Sequence, residues 1–572
     1  MLHCVTLSYL TIFIIENTKI METNWHSTFD IVVVGSGASG LTAAITAEHN
    51  GLRTLIIEKM DKWGGSSAYS GGGLWIPNNF LMQEAGALDS PEEALKYMEA
   101  VIEDIGPASS RARKEAYVKN APEMVLFLKK KGFRWQRAIY YPDYYPNVAG
   151  GKTGRVIESE IFNGKKLPKH LRKTQNVAPG MPNIAITSGD AYLLPLVLRT
   201  MKGFKRVMKV FGQTIGWALT GKTPLGIGRA LTGRLMYILQ KEYKTPVWLN
   251  SPLKDLIIEE GRAVGVRIEK DGKLINVKAN KGVLLGAGGF PHNDAYRRKY
   301  QPVGSDWTSA SPGNTGDGIQ AGERAGAALA LMGEAWWGGS FKLDGAMAFS
   351  VNERSLPGAI IVDNAGNRFV NESTSYVDLG RKMLDHDAEH GDSVPSWMIM
   401  DAKHRKHYLF GMMPPGMTPS KYIKKGEMVK ANSLEELAQK CGINVKNLKE
   451  TVRQFNSFAY NGKDEDFGRG QDIYDRYYSD PTVAPNSNLA PIKNAPFWAT
   501  RIYPGDLGTK GGLLTDEYGR VLREDGSVIE GLFASGNNTA SVMGKTYPGP
   551  GSTIGPACTF SYIAMNFIAN QK

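Results

Sequence analysis

Residues 30–59, DIVVVGSGASGLTAAITAEHNGLRTLIIEK, predict a nucleotide-binding βαβ unit in this chain of 572 residues. Residues 31–34 are a run of apolar β-branched residues, which is typical of a buried parallel strand. At the turn into the following helix the sequence places a G-x-G-x-x-G motif formed by Gly35, Gly37 and Gly40. These glycines permit a tight turn, close approach of the backbone to a pyrophosphate, and close packing of the helix on the strand. The unpaired N–H groups at the helix start favour an anion there.

A second strand and a carboxylate complete this unit. Residues 54–57 predict the strand, and Glu58 follows the glycines at the separation of about twenty residues at which an acid accepts ribose hydroxyls. An acid here argues against a ribose that carries a 2′-phosphate. An isolated glycine motif could be an ordinary strand-to-helix turn, but here all five features occur in order.

A loop rich in glycine and serine, WGGSSAYSGGGLW at residues 63–75, indicates which nucleotide binds. A nicotinamide dehydrogenase does not need such a loop, whereas in a flavoprotein its small residues let backbone amides reach the pyrophosphate and the isoalloxazine edge. A flexible linker is disfavoured because Tyr69, Leu74 and Trp75 would be exposed in it. The loop contains no histidine, so the prediction is FAD bound non-covalently.

Later segments predict further crossings of the flavin site. They are GVLLGAGGF at 282–290, NTGDG at 314–318, and strands at 511–516 and 531–536 that lead to YPGPGSTIG at 547–555 and a final helix. The residues predicted to bind FAD are Gly35, Gly37, Ala38, Ser39, Gly40, Glu58, Lys59, Gly64, Gly65, Ser66, Ser67, Ser70, Gly71, Gly72, Ala287, Gly288, Asp317, Gly536, Asn537, Ser552 and Ile554.

The predicted fold class is α/β, with a Rossmann-type FAD-binding domain (GR2-like) and an inserted α+β substrate and catalytic domain. Shifts in composition place the first part of the FAD-binding domain at 28–336, with a basic helical insertion at 193–244. The substrate domain is predicted at 337–506 and the second part of the FAD-binding domain at 507–572.

Two predictions of local structure accompany this division. Residues 246–277 predict a β-meander with turns at Glu260-Gly261 and Asp271-Gly272. A helix is predicted over 434–456, with Ser433 as its N-cap and Glu436 completing a capping box.

Residues 1–27 are expected to be an unstructured leader. The apolar run at 5–15 is too short to span a bilayer as a helix. It also lacks the basic flank and the small-residue cleavage site of a secretory signal. Met21, just before the first strand, is a candidate start.

Composition excludes several classes of protein. The three cysteines are far apart, which excludes a disulfide framework, a zinc cluster and a C-x-x-C-H haem site. The scarcity of cysteine favours a reducing compartment, and no metal is predicted.

The formal net charge of +12 is partly local, because residues 201–245 contain nine Lys or Arg and one acid. No nucleic-acid motif accompanies it, so no nucleic-acid partner is predicted. An amphipathic basic helix pair at 193–243 could lie on an anionic membrane or be a helical insertion with a solvated face, and both interpretations stay open.

The segment RAIYYPDYYPNVAGGKTGRVIE at 137–158 is too rich in proline, glycine and aromatic residues to be one helix. We interpret it as a cleft wall in which Tyr144 stands out.

From residue 28 onward the chain resembles the flavoproteins of the fumarate reductase and 3-ketosteroid dehydrogenase group. The motifs that carry this are GSGASG, GGSSAYSGGG, GNRFVNES at 366–373 and KDEDFGR at 463–469. Within the group it resembles the 3-ketosteroid Δ1-dehydrogenases in the contexts PDYYP, VNESTSY and YPGPG.

The resemblance implies an enzyme of steroid and lipid degradation that desaturates a 3-keto-4-ene steroid between C1 and C2. It implies that Tyr376 removes the C2 proton with the help of Tyr144, that Tyr547 and the Gly551 amide hold the C3 carbonyl, and that a hydride moves from C1 to flavin N5. An external electron acceptor is implied as well. Enolate chemistry of this kind requires stabilisation of the developing oxyanion, and a phenol with a backbone N–H can provide it. A tyrosine of pKa about 10 needs a neighbouring phenol or positive charge to act as a base.

Three alternatives compete with this interpretation. A fumarate-reductase-like enzyme needs several cations and histidines around two carboxylates, yet no histidine follows His407. A Δ4-(5α)-ketosteroid dehydrogenase fits the three tyrosine contexts less well. A flavin-carrying scaffold would not need the tyrosines.

The expected location is cytoplasmic. The insertion at 193–244 is longer than the family needs, which suggests peripheral docking at the inner membrane face, where a steroid concentrates.

Overall fold

The computed structural model describes residues 23–103 and 105–571. Its strands are β1 Ser27–Val34, β2 Thr54–Ile57, β3 Gly73–Trp75, β4 Trp135–Arg137, β5 Val156–Ser159, β6 Phe162–Asn163, β7 Pro224–Leu225, β8 Val247–Trp248, β9 Leu253–Glu259, β10 Arg262–Lys270, β11 Lys273–Leu285, β12 Leu329–Ala330, β13 Ala335–Leu343, β14 Ala346–Phe349, β15 Ala359–Val362, β16 Ser396–Met400, β17 Val429–Ala431, β18 Phe497–Thr509, β19 Gly512–Leu513, β20 Arg520–Leu522 and β21 Val528–Ala534.

The α-helices are α1 Ala38–His49, α2 Phe80–Glu84, α3 Pro91–Val101, α4 Arg111–Lys130, α5 Lys169–Lys173, α6 Met201–Leu219, α7 Ile227–Glu242, α8 Asp294–Tyr300, α9 Asp317–Arg324, α10 Tyr376–His390, α11 Ala402–His407, α12 Ser420–Lys424, α13 Leu434–Cys441, α14 Val445–Asn461, α15 Ile473–Tyr477 and α16 Ile554–Asn570.

The first sheet carries the nucleotide-binding unit. Strands β21, β11, β1, β2 and β8 run parallel in that spatial order, as a doubly covered α/β sheet requires. The central strand β1 is the apolar run that the sequence predicted as buried, and Val33 pairs with Leu284 on one side and Ile56 on the other. Helices α1 and α16 pack against each other beside it. The predicted α/β fold class is confirmed.

The predicted β-meander is present as strands β9, β10 and β11, and its two turns lie where the sequence placed them. Glu260 and Gly261, then Asp271 and Gly272, all have positive φ, which is the conformation of a two-residue hairpin turn. Strand β11 continues without a break into the parallel sheet, so the meander and the later glycine-terminated strand are one strand.

The second sheet belongs to the inserted segment. Its strand order is β14-β13-β18-β16-β15, with β17 paired to β18, and all these pairings are antiparallel. Strands β13 and β18 are the two through which the chain enters and leaves this sheet. They pair Trp337 with Asp506, the first and last residues of the substrate domain predicted from the sequence, and the division into domains stays a prediction.

Two expectations about residues 433–456 differ from the structure. The helix predicted over 434–456 is two helices, α13 and α14, because Gly442 takes a φ of +75° and ends the first of them. Ser433 does cap α13, but the Glu436 carboxylate accepts from the Asn432 N–H and not from Ser433.

Of the predicted leader, residues 1–22 lie outside the described residues. Residues 23–27 are placed against the sheet, where the His26 N–H donates to the Asn276 carbonyl, and β1 begins at Ser27. The basic insertion does form a helix pair, but only α6 lies on the surface. Helix α7 is mostly buried against α1, so it is part of the core and has no free amphipathic face.

Candidate functional site

The glycine motif builds a turn that accepts no side chains at two positions. Gly35 has a φ of +102°, and a Cβ on it would lie 2.6 Å from the Gly286 carbonyl oxygen of the neighbouring strand. A Cβ on Gly40 would lie 2.0 Å from the Gly35 oxygen. Gly37 differs, because its nearest neighbour would be the Ser67 hydroxyl at 3.4 Å. Space is therefore left in front of Gly37, at the start of α1.

The glycine and serine loop closes over that start. The Ala38 N–H donates to the Ser67 Oγ at 3.0 Å, and a Cβ on Gly65 would have the Gly37 Cα as its nearest neighbour, at 3.9 Å. The Gly65 and Gly37 backbones thus lie next to each other beside a helix N-terminus, with no side chain of their own to block an approaching ligand. This is the geometry that a pyrophosphate needs, so the residues present fit FAD.

Glu58 ties the motif to this loop. Its buried carboxylate accepts from the Ser36 N–H at 3.1 Å, the Ser36 hydroxyl at 2.6 Å and the Met60 N–H at 3.0 Å. The Ser36 Oγ also accepts from the Gly64 N–H at 3.0 Å. Burial raises the pKa of Glu58, and these donors oppose that rise. Ser36 was not predicted as a site residue, although it lies inside the motif.

The remaining predicted crossings meet the same loop. Lys59 contacts Asp317 at 2.8 Å, which brings the start of α9 to the end of β2. The Ser66 Oγ accepts from the Ser311 N–H at 2.9 Å and from the Asn314 side chain at 2.6 Å. A Cβ on Gly288 would meet the Asn314 side chain at 2.0 Å. The structure therefore gathers these segments around one site.

The C-terminal segment closes the site from the other side. The Ala287 N–H donates to the Asn538 Oδ1 at 2.5 Å, while the Asn538 Nδ2 is buried without a partner within the described residues. Asn537 accepts from the Trp336 indole at 3.0 Å. Ser552 donates to the Gly549 carbonyl at 2.7 Å, and Ile554 begins α16.

The remaining predicted residues make contacts within or near the glycine and serine loop. Ser70 donates to the Ser67 carbonyl and accepts from the Gly72 N–H, and the Gly71 carbonyl accepts from the Ser188 hydroxyl. Ser39 contacts the Ser561 hydroxyl at 2.9 Å.

Three tyrosines from distant segments meet beside this site. The ring centroids of Tyr144 and Tyr376 are 5.3 Å apart, those of Tyr376 and Tyr547 are 5.1 Å apart, and those of Tyr144 and Tyr547 are 5.2 Å apart. All three rings are buried. The Tyr144 N–H donates to the Pro548 carbonyl at 2.9 Å, which fixes the first segment against the third.

Tyr547 lies in the loop that precedes helix α16, which begins at Ile554. Its hydroxyl is 3.5 Å from the Thr553 Oγ1, just before α16, and the Gly551 N–H acts on the same hydroxyl. Burial raises the pKa of Tyr547, and its contacts with Thr553, Tyr376 and the Gly551 amide oppose the rise. Gly551 has a φ of +93°, and a Cβ there would meet the Gly73 oxygen at 2.5 Å. The Gly551 amide and the Tyr547 hydroxyl are therefore neighbours in the loop before α16.

Tyr376 is the first residue of α10, behind the N-cap Ser375. Burial raises its pKa well above the usual value, Tyr547 adds to the rise, and the hydrogen-bonding interaction with Tyr144 lowers it. Burial likewise raises the pKa of Tyr144. The neighbouring phenol expected from the sequence is present, but it offsets only part of the effect of burial.

The tyrosine cluster is larger than the sequence predicted. The Tyr141 hydroxyl contacts that of Tyr478, and Tyr474 lies 4.7 Å from Tyr144 between ring centroids. These residues come from two tyrosine-rich segments, RAIYYPDYYP and IYDRYY, and that enrichment is the signal that could have found them.

Two of the motifs that carried the resemblance form a buried ion network instead of a ligand site. Arg368 lies 2.8 Å from the Glu372 carboxylate and 2.9 Å from Asp464, and Arg469 lies 3.1 Å from Glu372. Arg469 also donates to the Ser373 hydroxyl at 3.2 Å. This network holds the loop that ends at Tyr376.

Comparison with known proteins gives consistent findings. The family model described as FAD binding domain matches residues 30–554. The chain is 45% identical over 556 residues to the 3-oxosteroid 1-dehydrogenase of Mycolicibacterium smegmatis, a match that covers 95% of this chain and 97% of the relative. The solved structure of 3-ketosteroid Δ1-dehydrogenase from Sterolibacterium denitrificans in complex with 1,4-androstadiene-3,17-dione has a TM-score of 0.90 at 38% identity, and the match covers 96% of this chain and 100% of that chain.

A more distant structure shares the fold alone. The 3-ketosteroid-Δ4-(5α)-dehydrogenase from Rhodococcus jostii RHA1 has a TM-score of 0.65 at 21% identity, with 97% of this chain and 99% of that chain covered. Among residues 23–103 and 105–571, no helix has both the length and the apolar character needed to cross a bilayer.

Proposed function

Because this chain belongs to the family of FAD-binding 3-oxosteroid 1-dehydrogenases, we propose that it introduces a double bond between C1 and C2 of a 3-keto-4-ene steroid. The observation that carries the proposal is the meeting of Tyr144, Tyr376 and Tyr547, three buried phenols from distant segments. FAD, when bound, accepts the hydride that leaves C1, and turnover requires an external electron acceptor.

Tyr547 and Gly551 hold the C3 carbonyl in this proposal. A C–H bond beside a ketone becomes acidic when the enolate oxygen that develops is stabilised. The Gly551 amide lies close enough to the Tyr547 hydroxyl to lower its pKa, and we assign this N–H and the Tyr547 O–H as the two donors to one carbonyl oxygen. Gly551 has a φ of +93°, a conformation that favours glycine at this position.

Tyr376 removes the proton from C2. Its phenolate is the active form of the base, and donation of a hydrogen bond by Tyr144 stabilises that form. Burial excludes water from the three rings, which strengthens the hydrogen bonds within the cluster. Tyr144 is therefore proposed to tune the base and Tyr376 to carry the proton.

The test is to mix the purified, FAD-loaded protein anaerobically with androst-4-ene-3,17-dione and, separately, with succinate, and to follow the flavin absorbance. We expect bleaching by the steroid alone, with a 1,4-diene-3-one as product. Bleaching by succinate alone would overturn the proposal in favour of a dicarboxylate enzyme. No bleaching by this steroid or by bulkier sterol ketones would limit the family likeness to fold and cofactor.

We further propose that helix α6 docks the protein on an anionic lipid surface. Six large apolar side chains on α6 are exposed: Met201, Phe204, Met208, Phe211, Ile215 and Leu219. Their spacing of three or four residues puts them on one face of the helix. Lys202, Lys205 and Lys209 are exposed beside them and complement an acidic headgroup layer. A steroid partitions into lipid, so docking brings the site to its substrate.

Flotation with liposomes of about one-third phosphatidylserine tests this. We expect the protein to float with anionic liposomes and less with zwitterionic ones. Replacing Phe204, Phe211 and Ile215 by Ser should abolish flotation, whereas the same change at the exposed Leu274, Met412 and Tyr460, which lie elsewhere, should not. Recovery of the unaltered protein in the soluble fraction at every salt concentration would overturn the docking proposal.

A further inference from the structure

The two peptide carbonyls that precede Tyr547 are both held by cationic side chains. The Lys510 Nζ donates to the Thr546 oxygen at 2.6 Å. The Arg381 guanidinium donates to the Lys545 oxygen over a longer distance, 3.5 Å. The conformation of the peptide that leads into Tyr547 is therefore constrained at two successive groups.

Lys510 lies in an unusual place for a lysine. It follows strand β18, and its side chain is completely buried. Its ammonium lies 4.4 Å from the centroid of the Trp336 ring, and that ring meets Tyr547 edge-on at 5.0 Å between centroids. Lys510 is thus separated from Tyr547 by one aromatic ring and one peptide.

Burial of this ammonium is unfavourable in itself. Burial lowers the pKa of Lys510 to about 7, the nearby Glu334 carboxylate opposes that change, Arg381 adds to it, and Asp378 opposes it. An apolar side chain of similar length would fill the same volume without the cost of desolvation. What the lysine provides and an apolar side chain would not is the hydrogen bond to the Thr546 carbonyl.

Arg381 connects the same peptide to the proposed base. It lies on α10, the helix that begins with Tyr376, and its side chain is also 3.9 Å from Glu334. On the same helix, the Asp378 carboxylate accepts from the Tyr145 hydroxyl at 3.1 Å, next to Tyr144 in the chain. These contacts join the segments that carry all three tyrosines.

We propose that Lys510 and Arg381 are positioning residues that hold the Thr546 and Lys545 carbonyls and so fix the Tyr547 hydroxyl relative to Tyr376. The inference rests on the proposed function, since it concerns the alignment of the donor that meets the C3 carbonyl. Neither residue touches the reacting atoms, and each acts through the backbone of residues 545–547. Displacement of a catalytic group by about 1 Å can cost about 100-fold in rate.

The test is a double-mutant cycle between Lys510→Met and Tyr547→Phe in the FAD-loaded protein, with the steroid as substrate. We expect Lys510→Met alone to lower kcat about 10- to 100-fold while KM changes less than about threefold, because the enolate charge develops only in the transition state. In the Tyr547→Phe background the same change should alter kcat less than about threefold, because the group it positions has been removed.

Lys114→Met is the matched control, since Lys114 is also buried but donates to the Ile102 carbonyl in the FAD-binding part, at 3.3 Å. It should lower the melting temperature and leave the kcat of the folded protein unchanged. If Lys510→Met does not fold, Arg381→Gln, at a partly exposed side chain, replaces it in the cycle with the same expectation.

An unchanged kcat in a folded, yellow Lys510→Met protein would overturn the inference, and so would an equal loss in both backgrounds. These outcomes differ from a failure of the proposed function, in which the unaltered protein itself would not desaturate the steroid.

Discussion

The turn at residues 35–40 depends on the backbone, whereas the tyrosine cluster depends on side chains. The turn is made of backbone, and a single Cβ on Gly40 would lie 2.0 Å from the Gly35 oxygen. The cluster is made of side chains whose ring centroids lie 5.1 to 5.3 Å apart. Adding one carbon should therefore destroy the turn, whereas removing one oxygen should disable the cluster and leave its packing intact.

Gly40→Ala is expected to have the largest effect. The added methyl group would overlap the Gly35 carbonyl and push α1 away from β1, which we expect to cost about 3 kcal/mol or more of folding free energy. The protein should be recovered without yellow colour or not at all. Thermal unfolding and the ratio of flavin to protein absorbance measure this.

Gly51→Ala is the control for that prediction. Gly51 follows the same helix with a φ of +79°, but a Cβ there would have no heavy-atom neighbour within 4 Å. We expect a loss of about 1 kcal/mol from backbone strain and a full content of FAD. A colourless Gly51→Ala protein, or a yellow and stable Gly40→Ala protein, would remove the steric explanation.

Tyr376→Phe is expected to show the opposite pattern. Loss of one hydroxyl removes the proposed base but keeps a ring of the same shape, so kcat should fall about 10²- to 10⁴-fold with the FAD content and melting temperature nearly unchanged. Tyr460→Phe, at an exposed ring in α14, should have no effect on kcat. Turnover by Tyr376→Phe within about threefold of the unaltered protein would assign the proton to another group.

The pH dependence of turnover sharpens the role of burial. Burial raises the pKa of Tyr376 well above its usual value, so the phenolate is a minor form at neutral pH and its population increases as the pH rises. We therefore expect kcat to increase with pH from about 6 to 9, by up to about tenfold per unit where proton removal limits the rate. A kcat that is flat or falls across this range would contradict a buried tyrosine base.

The two sites also differ in how far the sequence could predict them. The turn is local, so a strand, three glycines and Glu58 within thirty residues sufficed to predict it. Tyr144 stands out in its aromatic segment, whereas Tyr376 and Tyr547 were predicted through a resemblance, and the roles of all three remain predictions. Tyr141 and Tyr478 were missed because their contact joins residues 337 positions apart. The two tyrosine-rich segments indicate an aromatic cluster, but no local pattern encodes which of their rings meet.

Elsewhere, tertiary packing overrode the local pattern. The basic segment predicted two surface helices. Of these, α6 is exposed, whereas α7 packs against α1 and is mostly buried, because its apolar residues form part of the core. The prediction of a single helix over 434–456 was wrong for a local reason. Gly442 ends the first helix, and a glycine at that position is itself a helix-termination signal in the sequence.

Ser36→Ala should have the smallest effect and tests the side-chain part of the backbone-built site. It removes the hydroxyl that donates to Glu58 at 2.6 Å and accepts from the Gly64 N–H, so the buried carboxylate loses one of its donors. We expect a loss of about 1 to 2 kcal/mol, which weakens FAD binding about 5- to 30-fold. Titration of the apoprotein with FAD, followed by flavin fluorescence, measures this, with the exposed Ser527→Ala as control. An unchanged affinity would mean that the Ser36 hydroxyl does not contribute to nucleotide binding, and that the Ser36 and Met60 amides fix Glu58 well enough.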